Sequence, residues 1–376
     1  MAEVSVSARR FRSMLVNRHI TVGQLAASAT TTVDLLALAE HDQNVAFDDL
    51  QVIARYFKRP WSYLLSDDEE VFDAVGHDNR TFANQRRPLS PEILAEMEAA
   101  SMMLDAAAEL FPETRCELPH DRLTTSTPAE HTAADIRAFL GVGHDEQLHV
   151  PDGFAALRLW AGALQDKGVY VSQRRLDDET IRAFSKARGK HAVIVVDTGD
   201  TAYARIFSLL HEYCHIVLRT TGVCDLDDHT TVERYCNAVS AAVLMPIDLL
   251  SAEQPEHTFG VSVIADEEVV ARLSSRLRVS QAALLIRLRG MRTISDTQYE
   301  TLESRRKDRR GRDGRKPGGQ YYAPAINRVG RRFANNVFAA LDDGKLDRQD
   351  ASVLLGVNEH IVDRYRRELV QAESSS

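Results

Sequence analysis

The chain of 376 residues has only four cysteines, Cys116, Cys214, Cys224 and Cys236. That is too few for a disulfide scaffold and fits free thiols in a reducing compartment. No apolar run approaches the roughly 20 residues that span a bilayer. The start, MAEVSVSARRFRSML, lacks the charged-then-apolar layout of a secretory signal. No membrane is expected, and the expected location is the cytoplasm. An excess of positive charge is missing too: at a net charge of -9 the chain as a whole has no electrostatic claim on nucleic acid or anionic lipid. What remains is a globular composition, 44% hydrophobic and 27% charged, long enough for two or three domains.

Residues 204–218, ARIFSLLHEYCHIVL, carry the pattern His-Glu-x-x-His at His211, Glu212 and His215. Ile206, Leu209, Leu210, Val217 and Leu218 recur at helical spacing and Gly222 supplies a stop, so the pattern is expected inside an amphipathic helix. Residues four apart share one helix face. His211 and His215 can then offer two ring nitrogens to one zinc ion, and Glu212 can reach a metal-activated water as general base. The pattern also arises by chance, in which case both are ordinary histidines.

A catalytic zinc needs a third protein ligand and an open position. The next expected helix, VERYCNAVSAAVLMP at 232–246, is apolar around most of its circumference, with Glu233 and Asn237 on one stripe. A buried carboxylate needs a cation or several donors. A metal would satisfy Glu233, and a salt bridge to Arg234 or Arg205 is the alternative. A thiolate from Cys214, Cys224 or Cys236 could take its place as ligand, although free cysteines more often pack as small hydrophobes. His229, in a polar loop with Asp225, Asp227 and Asp228, is a further alternative. Tyr203, His229 and Tyr235 are candidate oxyanion donors by sequence proximity alone.

Along the chain, residues 1–68 read as a bundle of short helices near 8–17, 21–27, 31–40 and 47–57, closed by 60–65. The pattern at Leu25-Ala26, Glu40, Leu50, Ile53-Ala54, Phe57 and Leu64-Leu65 resembles the Xre/Cro-type helix-turn-helix domain. Its expected recognition helix, 31–40, has no basic residue to read base edges. Arg9, Arg10, Arg12 and Arg18 could touch phosphates, which position without specifying. DNA binding is therefore an open expectation, and protein docking is preferred. Residues 69–150 are a linker and helical segment, beginning beside the acidic join at 66–70 and including helices from Pro91 to Leu110 and from Ala129 to Leu140. In 151–295, a helix from Gly153 to Lys167 leads to strands at 168–172, 181–185 and 191–197, with Asp200 or Thr201 as cap of the motif helix. An edge strand of that sheet could receive an extended peptide. Further helices at 266–273 and 280–288 follow. Residues 296–325 read as a basic, glycine-rich linker, either solvated or phosphate-binding, and 326–376 as a small helical domain with Gly356 at a turn.

The pairing of RIFSLLHEYCHIVLRTTG with the later E-x-x-x-N helix ending in Leu244-Met245-Pro246 resembles the ImmA/IrrE family of zinc peptidases. The resemblance covers residues 1–70 and 150–295. It implies an α+β, mostly helical fold, with a zincin-like core around a small sheet and helix-turn-helix-like domains on its flanks. It puts the metal on His211, His215 and Glu233 and the general base on Glu212. It also implies an endopeptidase that cleaves a helix-turn-helix repressor or antitoxin. Zinc is the expected metal, and manganese suits the same donors. Cys214 stands where relatives often have a small residue, and Arg219 where they often have histidine. A transcriptional regulator, binding DNA or protein, with a structural or idle zinc site is the alternative.

Overall fold

Apolar residues at helical spacing dominate the sequence, and β-branched runs are confined to a few short segments. The fold that results is α+β and mostly helical. The computed structural model describes residues 3–17, 20–57, 61–65, 90–119, 123–178, 181–220, 223–225, 231–252, 267–312 and 325–374. The acidic join at 66–70, Arg18, Gly222, Asp227, Asp228, His229 and the glycine-rich run at 313–319 lie outside the described residues. Two compact units form: one from Met1–Thr114 with Phe333–Ser376, the other from Arg115–Arg332.

In the first unit, helices Ala8–Asn17, Val22–Ser28, Leu35–Glu40 and Phe47–Tyr56 surround a core of Phe11, Met14, Leu25, Leu38, Leu50, Ile53 and Phe57. Strands β1 (Glu3–Val6) and β2 (Gln43–Ala46), which sequence reading did not anticipate, pair antiparallel. The third helix begins at Leu35 rather than at residue 31. Thr31 and Thr32 donate their hydroxyls to the Asp49 carboxylate, at 2.7 and 2.5 Å, and Asp34 caps Leu36 and Ala37 instead. Local side-chain bonds of this kind hold threonine outside a helix. Arg12 donates to the carbonyl of Ala39 at the end of that helix, 2.7 Å, so it serves as a cap rather than as a spare phosphate contact. Of the expected C-terminal domain at 326–376, Phe333–Ser376 cluster with Met1–Thr114, and 326–332 with the other unit. Helices Arg348–Leu355 and Val362–Ser374 belong to the unit of the N-terminal bundle, where Arg55 donates to Gln349 and Phe333 meets Phe111 edge-on.

The second unit holds a four-stranded sheet in the order β3-β5-β4-β6: β3 is Val169–Arg174, β4 Ile181–Arg188, β5 His191–Asp197 and β6 Val223–Asp225. β3 and β5 are parallel, whereas β4 runs antiparallel to both β5 and β6. β6, on the outer side of β4, pairs with Ile181, Ala183 and Phe184. β5 is buried from His191 to Asp197, as its unbroken apolar run requires. Helices Gly153–Asp166 and Ala202–Leu218 pack on the sheet in one core with Leu157, Trp160, Ile194, Ile206 and Leu210. Residues 325–332 lie along β3: Ser172 Oγ donates to the Arg328 carbonyl at 2.6 Å, and the Arg332 amide donates to Gln165 Oε1 at 3.0 Å.

Helix Thr231–Leu244 is held at its end by buried side chains rather than by solvent. Arg137 donates to the Val243 carbonyl, Gln147 to that of Leu244 and Arg287 Nε to that of Met245. Terminal carbonyls with no partner inside the helix are thereby satisfied. The expected linker at 296–325 is in part a helix, Asp296–Arg312. Ser295 and Gln298 cap it reciprocally, Glu303 pairs with Arg306, and Leu302 is buried in the core.

Candidate metal centre

Helix Ala202–Leu218 starts where Thr201 Oγ1 accepts from the Ala204 amide. It stops at Arg219, a left-handed residue at φ 57°, and not through a glycine. The reversal brings the Thr220 amide onto the His215 carbonyl, 2.8 Å, and Thr220 Oγ1 to 3.0 Å from His215 Nδ1. Fourteen of its residues are buried, His211, Glu212 and His215 among them.

On the facing side of the motif, helix Thr231–Leu244 delivers Glu233 to both histidines. Its Oε2 lies 3.0 Å from His211 Nε2 and its Oε1 lies 3.2 Å from His215 Nε2, while the two Nε2 atoms are 3.2 Å apart. Exposure is 0% for His211, 2% for His215 and 7% for Glu233. Among the described residues this is the one group of three or more His, Cys, Asp or Glu side chains that could hold a metal ion. The fit is good on distance: ligands at about 2.0–2.1 Å from a tetrahedral ion stand roughly 3.3 Å apart. It is also good on charge. Burial opposes the Glu233 carboxylate, but hydrogen bonds from both histidines outweigh that and hold its pKa well below the usual range. Burial likewise opposes charge on His215, which Glu233 and Glu212 reverse, lifting its pKa. A cluster that gathers positive charge around a dry carboxylate is one that a divalent cation suits.

Glu212 lies beside the group and is not one of its three members. Its Oε2 accepts a 2.7 Å hydrogen bond from Ser185 Oγ on β4, with both residues buried. Burial raises its pKa, opposed by His215, His211 and Ser185. Neither Ser185 nor Thr220 stands out in the sequence as a partner of the motif. Ser185 had one visible signal, a hydroxyl in an otherwise apolar strand position; Thr220 had none.

The other candidates separate. Cys214 and Cys236 pack in the apolar core, and the side chain of Cys224 is outside the described residues. Tyr235 is a correction to the oxyanion candidates: its hydroxyl is bound to Thr132 Oγ1 at 2.7 Å in a buried pair, so it ties two helices together. Tyr203 packs half-buried against the core. Arg205 is not the partner of Glu233. It donates to the carbonyls of Asp200 and Thr198 and to Gln173, bracing the turn before the motif helix.

A small sheet, a buried helix with two histidines one turn apart, and a carboxylate from a second helix make a His-His-Glu group that could hold a metal ion, in a fold consistent with a zincin-like domain. Residues 164–289 match the family model described as the IrrE N-terminal-like domain, a peptidase family, which supports the ImmA/IrrE resemblance over about a third of the chain. The match is consistent with a metallopeptidase and implies a metal, which the His-His-Glu group could bind. No curated protein and no solved structure matches the chain.

Proposed function

We propose that the protein is a zinc-dependent endopeptidase of the cytoplasm that cuts a partner protein, a helix-turn-helix repressor or antitoxin, and thereby regulates transcription. The observation that carries this reading is the convergence of His211, His215 and Glu233 in a buried group, with Glu212 held beside it by Ser185. Two nitrogens and a carboxylate suit zinc, with manganese compatible. A bound ion there supplies Lewis acidity and makes water a nucleophile near neutral pH.

Glu212 does the proton work. A carboxylate whose pKa is raised by burial suits a group that takes a proton from water and returns it to the leaving amine. Ser185 fixes the orientation of that carboxylate without competing for the metal. The substrate class rests on the family resemblance and on the N-terminal bundle. There, helix Leu35–Glu40 presents Leu36 at 69% exposure and has no basic residue, which favours docking to protein over reading bases.

The test is the metal content of the purified protein and of two variants. We expect one zinc per chain in the parent and in Glu212→Gln, loss or weakening of metal in Glu233→Gln, and loss of proteolysis in both variants. Full metal in Glu233→Gln, or none in the parent, would refute the site and favour the regulator with an idle centre.

A further inference from the structure

Among the described residues, three buried polar side-chain atoms on the helices that meet at the cluster have no hydrogen-bond partner: Nδ1 of His211, the Tyr213 hydroxyl and Oδ1 of Asn237. The first and the last are complementary. A histidine that ligates through Nε2 carries its proton on Nδ1, and that N–H needs an acceptor. His211 is 0% exposed, so solvent does not supply one; of the rings beside it, Phe207, 6.3 Å away between centroids, has no acceptor atom, and His215, at 4.9 Å, has its Nδ1 engaged with Thr220. His215 already has its outer partner in Thr220 Oγ1. The metal centre is therefore braced at one histidine and not at the other.

Asn237 stands where the missing brace would come from. It lies one helical turn beyond Glu233 on the same stripe, and Glu233 is in contact with His211 Nε2. The helices of these residues pack directly on each other. The other unpartnered oxygen on the motif helix, the Tyr213 hydroxyl, has its electrostatic neighbours in Cys116 and Glu117. We infer that Asn237 is the positioning residue for His211: when Nε2 ligates a metal, the Asn237 side-chain oxygen becomes the acceptor for the Nδ1 proton, holds the tautomer that leaves Nε2 free to bind, and sets the plane of the ring. This rests on the reading of His211, His215 and Glu233 as a metal site. It gives a role to an amide that is half-buried on this helix with its oxygen shut off from solvent. An amide flipped to present Nδ2 would meet a donor with a donor, so binding through Nε2 selects the oxygen-inward orientation.

The experiment compares the parent, Asn237→Leu and Asn237→Asp for zinc affinity, by competition with a chromophoric chelator, and for the visible absorption of the cobalt(II)-loaded form. Loss of an outer acceptor lowers metal affinity about 10- to 100-fold. Asn237→Leu should show that loss together with an altered cobalt spectrum, while its metal-free form melts no lower than the parent, since the atom removed was making no bond. Asn237→Asp keeps an acceptor and should restore affinity and spectrum. If leucine does not fold, Asn237→Ala provides the same contrast. Parent-like affinity and spectrum in the leucine or alanine variant, or failure of Asn237→Asp to restore them, would overturn the inference while leaving the metal site intact. A parent that binds neither zinc nor cobalt would overturn both.

Discussion

Replacing Ser185 by alanine tests whether Glu212 is the proton-transfer group. The substitution removes a 2.7 Å hydrogen bond between two buried side chains and changes no ligand in the cluster. A hydrogen bond to a charged group contributes about 1.5–3 kcal/mol, and about 1.4 kcal/mol corresponds to a tenfold change in rate. If the serine orients the carboxylate for catalysis, Ser185→Ala should lower kcat about 10- to 100-fold with zinc content unchanged. The pH dependence fixes the sign. Burial raises the pKa of Glu212 and Ser185 opposes that rise, so removing the hydroxyl moves the pKa further up. The acid limb of kcat/KM should shift to higher pH, with the largest deficit at the acid end. Initial rates on an unstructured protein substrate across neutral and mildly acidic pH, with metal content measured on each sample, decide it. A parent-like rate with an unmoved acid limb refutes the assignment, and so does a rate that falls only as metal is lost.

In the unit containing Asp350, burial and then Asp347 raise the carboxyl to about 6, and Trp61 donates to it. A folded-state pKa above the unfolded value of about 3.9 contributes stability that is present below the unfolded value and lost as pH rises through about 6. Asp350→Asn should therefore melt higher than the parent at pH 7, an advantage that vanishes near pH 4; an equal difference at both pH values would refute it. Gly330 sits at φ 81°, where an added Cβ would press on the carbonyl oxygen of Val171. Gly330→Ala should cost about 1–3 kcal/mol or more by denaturant unfolding, and an unchanged midpoint would show that residues 325–332 do not lie against β3. Zinc at about 100 times its dissociation constant should stabilise the parent by about 2.7 kcal/mol, a gain removed by chelator and absent in Glu233→Gln; a melting temperature indifferent to zinc would count against the site.

What could be read from the sequence and what could not divide along one physical line. His211 and His215 are visible because helical period alone puts them on one face, and Glu233 because a carboxylate in an apolar helix demands a counter-charge. The helical reading of 204–218, 232–246 and 280–288, observed at Ala202–Leu218, Thr231–Leu244 and Gln281–Gly290, rests on the same local period. The misses all depend on partners distant in sequence. Thr31 and Thr32 look helical until Asp49, 18 and 17 residues on, draws their hydroxyls away. β1 and β2 are four residues each and form only by pairing with one another across the bundle. Ser185 is 27 residues from the carboxylate it binds, and no spacing rule links a strand position to a helix that crosses the same sheet. Arg219 ends the motif helix in a conformation usually left to glycine, and the turn it makes is what carries Thr220 to His215. The ligands are thus a local property of two helices, whereas the groups that orient them belong to the tertiary fold. A chain can therefore retain His-Glu-x-x-His and its distant glutamate and still lose catalytic competence, if the strand bearing Ser185 or the turn bearing Thr220 no longer packs against them.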